Sequence, residues 1–575
     1  MNSYKIISLK GVKSIILTHW PLYIALLILL VVIATIFLQT INKTGGVFAY
    51  ALDDAYIHMA IAKNFSQHGV WGITSQEFSS TSSSLLWTLI ISIIYFIIGV
   101  NDYTPLALNI LISFSLIYFL YTNFRENKII NSYNFISLFA IIFIIPLPAL
   151  IFTGMEHILH ITISIVFVIY AAKIIETNNF EFNSALSIKL WVLGMFLAAV
   201  RYEGLFIVFV VCLLLIIKKQ YRYSIYLGTI SLIPLIIYGI ISIMNGWHWL
   251  PNSLILKGNM PSIYTFSDLI NKFHNVFDNL FGAVHILNIA DFGEKQVLFL
   301  LLIASIILFL LINRMDSSLW KFNNVLMIIF TVSTIIHAMF ADFGWFYRYE
   351  AYLIALGLYV NLTFLYEYFK DGKTNVSIKL SRSHIPNYLV VIFLLILAYP
   401  VYIQIFNGVT QPFAQRISIS LLNTPKANYE RYLEHVLPAK FIRDYANNAT
   451  IAINDIGAIS YYNNNINILD LYGLGSREPL EFRKNIYDSN VVKEWARNEN
   501  AKIAYIQIQW TEISPLIPEE WIKIAIWKIP HNIVFGDTQF AWYVIDKNKL
   551  EEIVYSLKIF SQFNLPEEME YELYY

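Results

Sequence analysis

Long apolar runs, nearly free of charge, recur along this 575-residue chain and leave it few folds to choose from. They fall at 21–38, 85–100, 105–122, 132–152, 158–175, 185–200, 205–217, 224–244, 296–313, 325–341, 351–368 and 388–406. A helix needs about 20 mostly apolar residues to cross the hydrocarbon core of a bilayer. Charged residues make up 14% of the chain and hydrophobic ones 57%. So little charge cannot cover a soluble protein of this length, and the pattern reads as a multi-span α-helical membrane protein. The formal net charge is zero, which argues against nucleic acid as a partner. The single cysteine, Cys212, lies inside an apolar run and excludes a disulfide framework or a thiolate metal cluster within the chain. Lys5, Lys10 and Lys13 precede the first run. That run is long and no small-residue cleavage site follows it, so it reads as an uncleaved first span rather than a signal peptide.

Lysine and arginine in short loops set the orientation of such a chain. The basic loops are the N-terminus, 123–131, 218–223, 314–321 and 370–382, and all of them should be cytoplasmic. If every run spans, the N-terminus and 123–131 fall on opposite sides. Reading 85–100 as an interfacial or re-entrant helix removes the conflict and leaves eleven spans. The runs 185–200 and 205–217 are short and flank Arg201-Tyr202-Glu203-Gly204, which suggests a broken hairpin lining a cavity. The segment after 406 changes character: helical patterns at 428–447 and 489–499 alternate with strand patterns at 451–453, 466–471, 504–508 and 541–545. We therefore expect a membrane domain over 1–406 and an extracytoplasmic, soluble α/β domain over 407–575.

Chemistry-bearing residues gather in the first polar loop, Leu52-Asp53-Asp54-Ala55-Tyr56-Ile57-His58. Residues 55–65 alternate as an interfacial amphipathic helix would, and a hydroxyl-rich run, Ser79 to Ser84, leads into Leu85-Leu86-Trp87. A carboxylate at the membrane surface suits deprotonation of an acceptor hydroxyl, and a carboxylate pair also suits a divalent cation. The bland reading is a solvated loop end. Further ionisable residues recur at predicted outer helix ends: Glu156 and His157, Arg201 and Glu203, Lys257, and Asp342, Arg348 and Glu350 in Asp342-Phe343-Gly344-Trp345-Phe346-Tyr347-Arg348-Tyr349-Glu350. Arginine and lysine there suit a phosphate. Each could instead be a structural ion pair, Arg201 with Glu203 or Arg348 with Glu350.

The first-loop order Asp53-Asp54-Ala55-Tyr56-Ile57, Lys63-Asn64, Gly69, then Ser83-Ser84-Leu85-Leu86-Trp87 resembles that of the mycobacterial cell-wall arabinofuranosyltransferases, within the GT-C superfamily of membrane glycosyltransferases. Ala60 stands where those enzymes usually carry arginine, and Leu85 where they carry proline. The resemblance implies a GT-C-like enzyme of the cell inner (plasma) membrane. It would take a sugar from a polyprenyl-phosphate donor on the outer face and pass it to a glycan, lipid or protein acceptor. It implies one catalytic aspartate, Asp53 ahead of Asp54, with Arg201, Arg348 or Lys257 on the donor phosphate. His58, Glu156, His157, Glu203, Tyr347 and Glu350 would contact substrate. The segments Asn454-Asp455-Ile456-Gly457-Ala458 and Asp470-Leu471-Tyr472-Gly473-Leu474 also look like the outer domain of such enzymes. A transporter or lipid flippase is the alternative, and would want charged residues along a path through mid-membrane. A non-catalytic scaffold would leave the aspartate pair and the arginines unexplained.

Overall fold

The computed structural model describes residues 9–127, 129–177, 182, 184–257, 294–312, 318–346, 348–374, 423–530, 533–534 and 538–575. The expected span at 388–406, the boundary at 406/407 and Tyr347 lie outside the described residues. Among the described residues, five helices are long and apolar enough to cross a membrane: Leu17–Lys43, Thr104–Glu126, His157–Glu176, Tyr221–Met244 and Phe322–Phe340. Six shorter apolar helices accompany them: Leu85–Ile98, Asn131–Ile144, Ala185–Val200, Gly204–Ile217, Val297–Leu310 and Ala351–Glu367. In chain order the helices are α1 (Leu9–Lys43), α2 (Asp54–His68), α3 (Leu85–Ile98), α4 (Thr104–Glu126), α5 (Asn131–Ile144), α6 (Leu147–Phe152) and α7 (His157–Glu176). There follow α8 (Ala185–Val200), α9 (Gly204–Ile217), α10 (Tyr221–Met244), α11 (Asn252–Lys257), α12 (Glu294–Ile312), α13 (Phe322–Phe340) and α14 (Ala351–Thr374).

Two expectations change. The run 132–152 is not one helix: α5 stops at Ile144 and α6 restarts at Leu147. Pro146 and Pro148 lack the amide hydrogens that a continuous helix would need there. The stretch expected to be an interfacial amphipathic helix is helical, as α2, but every residue from Ala55 to Asn64 is buried. The polar side is covered by α3 on one flank and by the C-terminal domain on the other, and Lys63 and Asn64 find partners within the fold.

The broken hairpin is present. Ser187 donates to Tyr223, and Gly194 sits against Leu227 and Ser231, so α8 and α10 run parallel. The loop Lys218–Gln220 turns α9 directly into α10, so α9 runs back antiparallel to both. The break itself, Arg201-Tyr202-Glu203, lies between them.

The two ends of the bundle differ in chemistry. At one end Arg125 and Tyr121 meet His19, Phe322 N donates to Glu176 at 3.0 Å, and Lys218 donates to the carbonyl of Ile175. At the other end lie the hairpin break, the start of α7 and the C-terminal domain.

That domain opens with helices α15 (Thr424–Arg431) and α16 (Leu437–Tyr445), joined by a π-helical turn, Tyr432–Val436. The strands β1 (Thr450–Ile453), β2 (Asn467–Asp470), β3 (Ala501–Gln507), β4 (Ile522–Lys528), β5 (Gln539–Val544) and β6 (Glu570–Leu573) form one sheet in the order β2-β1-β3-β5-β4-β6. The first three are parallel and the rest antiparallel. Aromatic side chains fill one face: Trp542 lies 4.8 Å from Phe441 of α16 and 5.3 Å from Trp527. The α/β alternation read from the sequence is therefore found; β4, β6 and the helix Leu550–Asn564 escaped it.

Candidate functional site

The first loop meets the C-terminal domain through α17 (Gly457–Tyr462), which packs along α2. Asp53 immediately precedes α2, and its carboxylate accepts from the amides of Gly457 at 2.6 Å and Ala458 at 2.9 Å. Lys63, near the far end of α2, donates to the carbonyl of Tyr461 and to Asn464 at 2.7 Å. A negative charge thus meets free amides at the start of α17 and a positive charge meets carbonyls at its end, both favourable placements. Asp53 is buried in this contact and does not line the neighbouring cavity.

Asp54, one residue on, does. It is the first residue of α2, and its side chain enters a cavity of about 360 Å³. One oxygen accepts from Lys257 of α11 at 3.3 Å, and the other accepts from Arg348 in the loop before α14. Burial pushes the Asp54 carboxyl up, but the Arg348 and Lys257 cations outweigh it and hold it well below the usual carboxylate range. Arg348 is nearly fully buried; it also donates to Tyr349 at 2.9 Å, while its Nε meets no acceptor among the described residues. The rest of the wall is largely apolar, with Leu205, Phe206, Leu235, Leu254 and Phe340 contributed by α9, α10, α11 and α13.

Arg201 and Glu203 line the same cavity but are already committed. Arg201 grips both oxygens of Glu203, at 2.6 and 3.1 Å, and donates to Glu156 at 2.7 Å. Glu156 also sits 3.6 Å from His58, whose ring contacts Thr88 at 2.7 Å and Ser83 at 3.2 Å. The turn that delivers Glu156 depends on Gly154, which has φ of +70° and whose Cβ position would fall 2.5 Å from the Tyr50 ring.

The structure thus brings Asp54, His58, Arg201, Glu203, Lys257, Asp342 and Arg348 to one cavity. Glu156 stands behind His58 and Arg201. His157 is buried and Glu350 accepts from the amide of Gly344 at 2.9 Å; neither lines the cavity. The expected pair Arg201–Glu203 is present, whereas Arg348 pairs with Asp54 rather than with Glu350. Thr81 of the hydroxyl-rich run, Tyr202 of the hairpin break and Ser253 also line the cavity, and their buried hydroxyls have no partner among the described residues. The C-terminal domain adds Leu474, from the segment likened to the outer domain of GT-C enzymes, to the wall.

A second polar cluster lies where α15 and α16 meet the sheet. Glu434, His435 and Asp455 bring potential metal ligands within 4.8 Å of one another, and His435 also comes to 3.9 Å from Asp53. Their ligand atoms are largely taken: Arg431 contacts Glu434 at 3.0 Å and His435, and Gln507 donates to Glu434 at 2.8 Å and Asp455 at 3.0 Å. The guanidinium supplies the positive charge a metal would bring, so the cluster fits a closed ionic network better than a cation site.

The description "Domain of unknown function (DUF8728)" matches residues 426–544, which is the C-terminal sheet domain up to β5. No curated protein matches the chain. Among solved structures it is similar to ArnT from Cupriavidus metallidurans, both in the apo state and bound to undecaprenyl phosphate. Each comparison has 10% identity and a TM-score of 0.46, and covers 90% of this chain and 98% of that one.

Proposed function

We propose that the protein is a GT-C-type membrane glycosyltransferase that moves a sugar from a polyprenyl-phosphate carrier to a hydroxyl of a cell-surface glycan, lipid or protein. The observation that carries the reading is one carboxylate, Asp54, held between two cations, Lys257 and Arg348, in a cavity with an apolar wall at the end of a membrane bundle. A polyprenyl chain has to stay in lipid, so its phosphate sits at this depth. Arg348 and Lys257 hold that phosphate. As the bond between the anomeric carbon and the phosphate oxygen breaks, the electron pair stays on the phosphate, and fixed cations in a partly dry site stabilise it. The acceptor oxygen forms the new bond to the anomeric carbon, and its proton passes to Asp54.

The transporter or flippase alternative fits the charge distribution less well, because Asp54, Arg201, Glu203, Lys257 and Arg348 cluster at one end of the bundle. The test is to place purified protein in nanodiscs with lipid extracted from its source membranes and an envelope-glycan acceptor fraction. Mass spectrometry then follows release of polyprenyl phosphate. The wild type should release it, and Asp54→Asn should slow release by about 10²–10⁴-fold. No release by the wild type, or full activity in Asp54→Asn, would overturn the reading.

A further inference from the structure

The charges of the cavity are not evenly spent. Arg201 faces two carboxylates, Glu156 and Glu203, and all its contacts to them are within 3.1 Å. Arg348 and Lys257 share one ion-pair partner, Asp54, and Asp342 is a further carboxylate on the cavity wall. Counting the paired groups, Arg201 with Glu156 and Glu203 carries one surplus negative charge, and Asp54 with Arg348 and Lys257 one surplus positive charge. An entering anion is therefore drawn to Arg348 and Lys257 and repelled by the surroundings of Arg201. Arg348 has spare capacity besides: its Nε is buried without an acceptor among the described residues, and the Ser253 hydroxyl, on α11 with Lys257, is likewise unpartnered there.

Both cations are also what keep Asp54 from working as a base. A carboxylate that accepts from a guanidinium and an ammonium has its lone pairs occupied and its proton affinity reduced. The anionic oxygens of an entering phosphodiester approach the same Arg348 and Lys257 heads that hold the Asp54 carboxylate, and repulsion between the two anions sets them in competition for those heads.

Resting on the glycosyltransferase reading, we infer that the phosphate of the donor lipid displaces Asp54 from Arg348 and Lys257, and that this exchange is what unmasks Asp54 as the proton acceptor. Asp54 serves two successive roles: it is an internal stand-in for the phosphate before the donor binds and the base once it has bound. The order of events follows. The acceptor hydroxyl meets a competent base only after the donor is seated, which keeps an idle site from activating water.

The exchange separates binding from turnover in a way that a simple base would not. Asp54 opposes phosphate binding, so removing its charge should tighten binding while it abolishes transfer. The measurement is equilibrium binding of undecaprenyl phosphate to the full-length protein in nanodiscs, for the wild type, Asp54→Asn, Asp54→Glu and Arg348→Ala. Asp54→Asn should bind about tenfold more tightly than the wild type, the scale of one partly exposed ion pair released. Asp54→Glu keeps the competing charge and should bind within about threefold of the wild type. Each variant is first checked for an unchanged unfolding temperature, and Asp54→Glu carries the comparison if Asp54→Asn unfolds: bound lipid should then raise its susceptibility to carboxyl-modifying carbodiimide at that position. If undecaprenyl phosphate binds through Arg348 but Asp54→Asn weakens the binding or leaves it unchanged, the exchange is wrong and the enzymatic reading stands. If the wild type and Arg348→Ala both fail to bind, the reading itself falls.

Discussion

The carboxylate of Asp53 accepts a 2.6 Å hydrogen bond from the amide of Gly457, a residue 404 positions further along the chain. That contact separates two neighbouring aspartates that look alike in sequence. Asp53 joins the membrane bundle to the C-terminal domain, while Asp54 faces the cavity. Gly457 is required because a Cβ there would lie 2.2 Å from the Asp53 carbonyl oxygen.

Gly457→Ala and Asp53→Asn should therefore behave alike. Hydrogen bonds to a charged group contribute about 1.5–3 kcal/mol, so each variant should lose stability on that scale. Thermal unfolding of the full-length protein should show the loss, with transfer reduced only in proportion to folded protein. A direct catalytic role for Asp53 predicts the opposite split: Asp53→Asn would keep its unfolding temperature and lose turnover, and Gly457→Ala would not share that defect.

Arg201 offers a second contrast. Its charge is consumed by Glu156 and Glu203, so we place it in the framework of the site rather than on the donor phosphate. Removing one member of a buried ionic group strands the others and costs about 3–5 kcal/mol. Arg201→Met should thus lower the yield of folded protein sharply. The triple change Arg201→Met, Glu156→Gln, Glu203→Gln should recover much of it, as measured by size-exclusion chromatography in detergent. Failure of the triple variant to recover any folded protein would return Arg201 to the phosphate.

Much of the architecture is legible in the order of residues alone. Apolar runs locate the bundle helices, and Arg201-Tyr202-Glu203-Gly204 marks the hairpin break because charge interrupts two short runs. The errors have a common physical source: long-range cover. α2 has the residue pattern of an interfacial helix, and nothing local says that α17 will lie on its polar side. The different surroundings of Asp53 and Asp54 are hidden from the sequence for the same reason, since the amides that bond Asp53 are hundreds of residues away. Pro146 and Pro148, by contrast, carry a local signal that does end α5. The cluster Arg431, Glu434, His435 was also readable, since spacings of three and four put its members on one helical face.

The C-terminal domain should respond to pH in one direction. Burial pushes Glu430 up to about 7 and Asp470 up to about 6, the latter against the backbone amides that its carboxylate accepts. Burial also pushes Asp455 up to about 6, against the charge of His435. For His435, burial lowers the value, and the Glu434 and Asp53 carboxylates more than reverse it, against the nearby Arg431. A carboxyl or imidazole raised above its unfolded value contributes stability that is complete below the unfolded value and is lost as pH rises through the folded one. All four groups act the same way. The unfolding temperature should fall between about pH 5 and about pH 7.5, and Glu430→Gln should flatten that dependence. An unfolding temperature that rises over this interval would contradict the buried, protonatable state of these carboxyls.

Topology provides the last test. Arg125, Lys218 and Lys321 lie at the end of the bundle where α7 finishes and α13 begins. The cavity and the C-terminal domain occupy the end where α7 starts: Asn109 of α4 donates to the carbonyl of Met155 there, and Asn428 of α15 donates to Thr40 of α1 at 3.1 Å. Lysine and arginine in short loops are retained on the cytoplasmic side. The domain that begins at α15 should accordingly face outward, together with the mouth of the cavity, as the proposed transfer to a surface acceptor requires. Lys219 and Lys558 are exposed positions at the two ends. In a Cys212→Ser background, a membrane-impermeant thiol reagent should label Lys558→Cys in intact cells or spheroplasts. It should reach Lys219→Cys only after permeabilisation. The reverse pattern would put the cavity on the cytoplasmic face and exclude a surface acceptor, whatever the chemistry at Asp54.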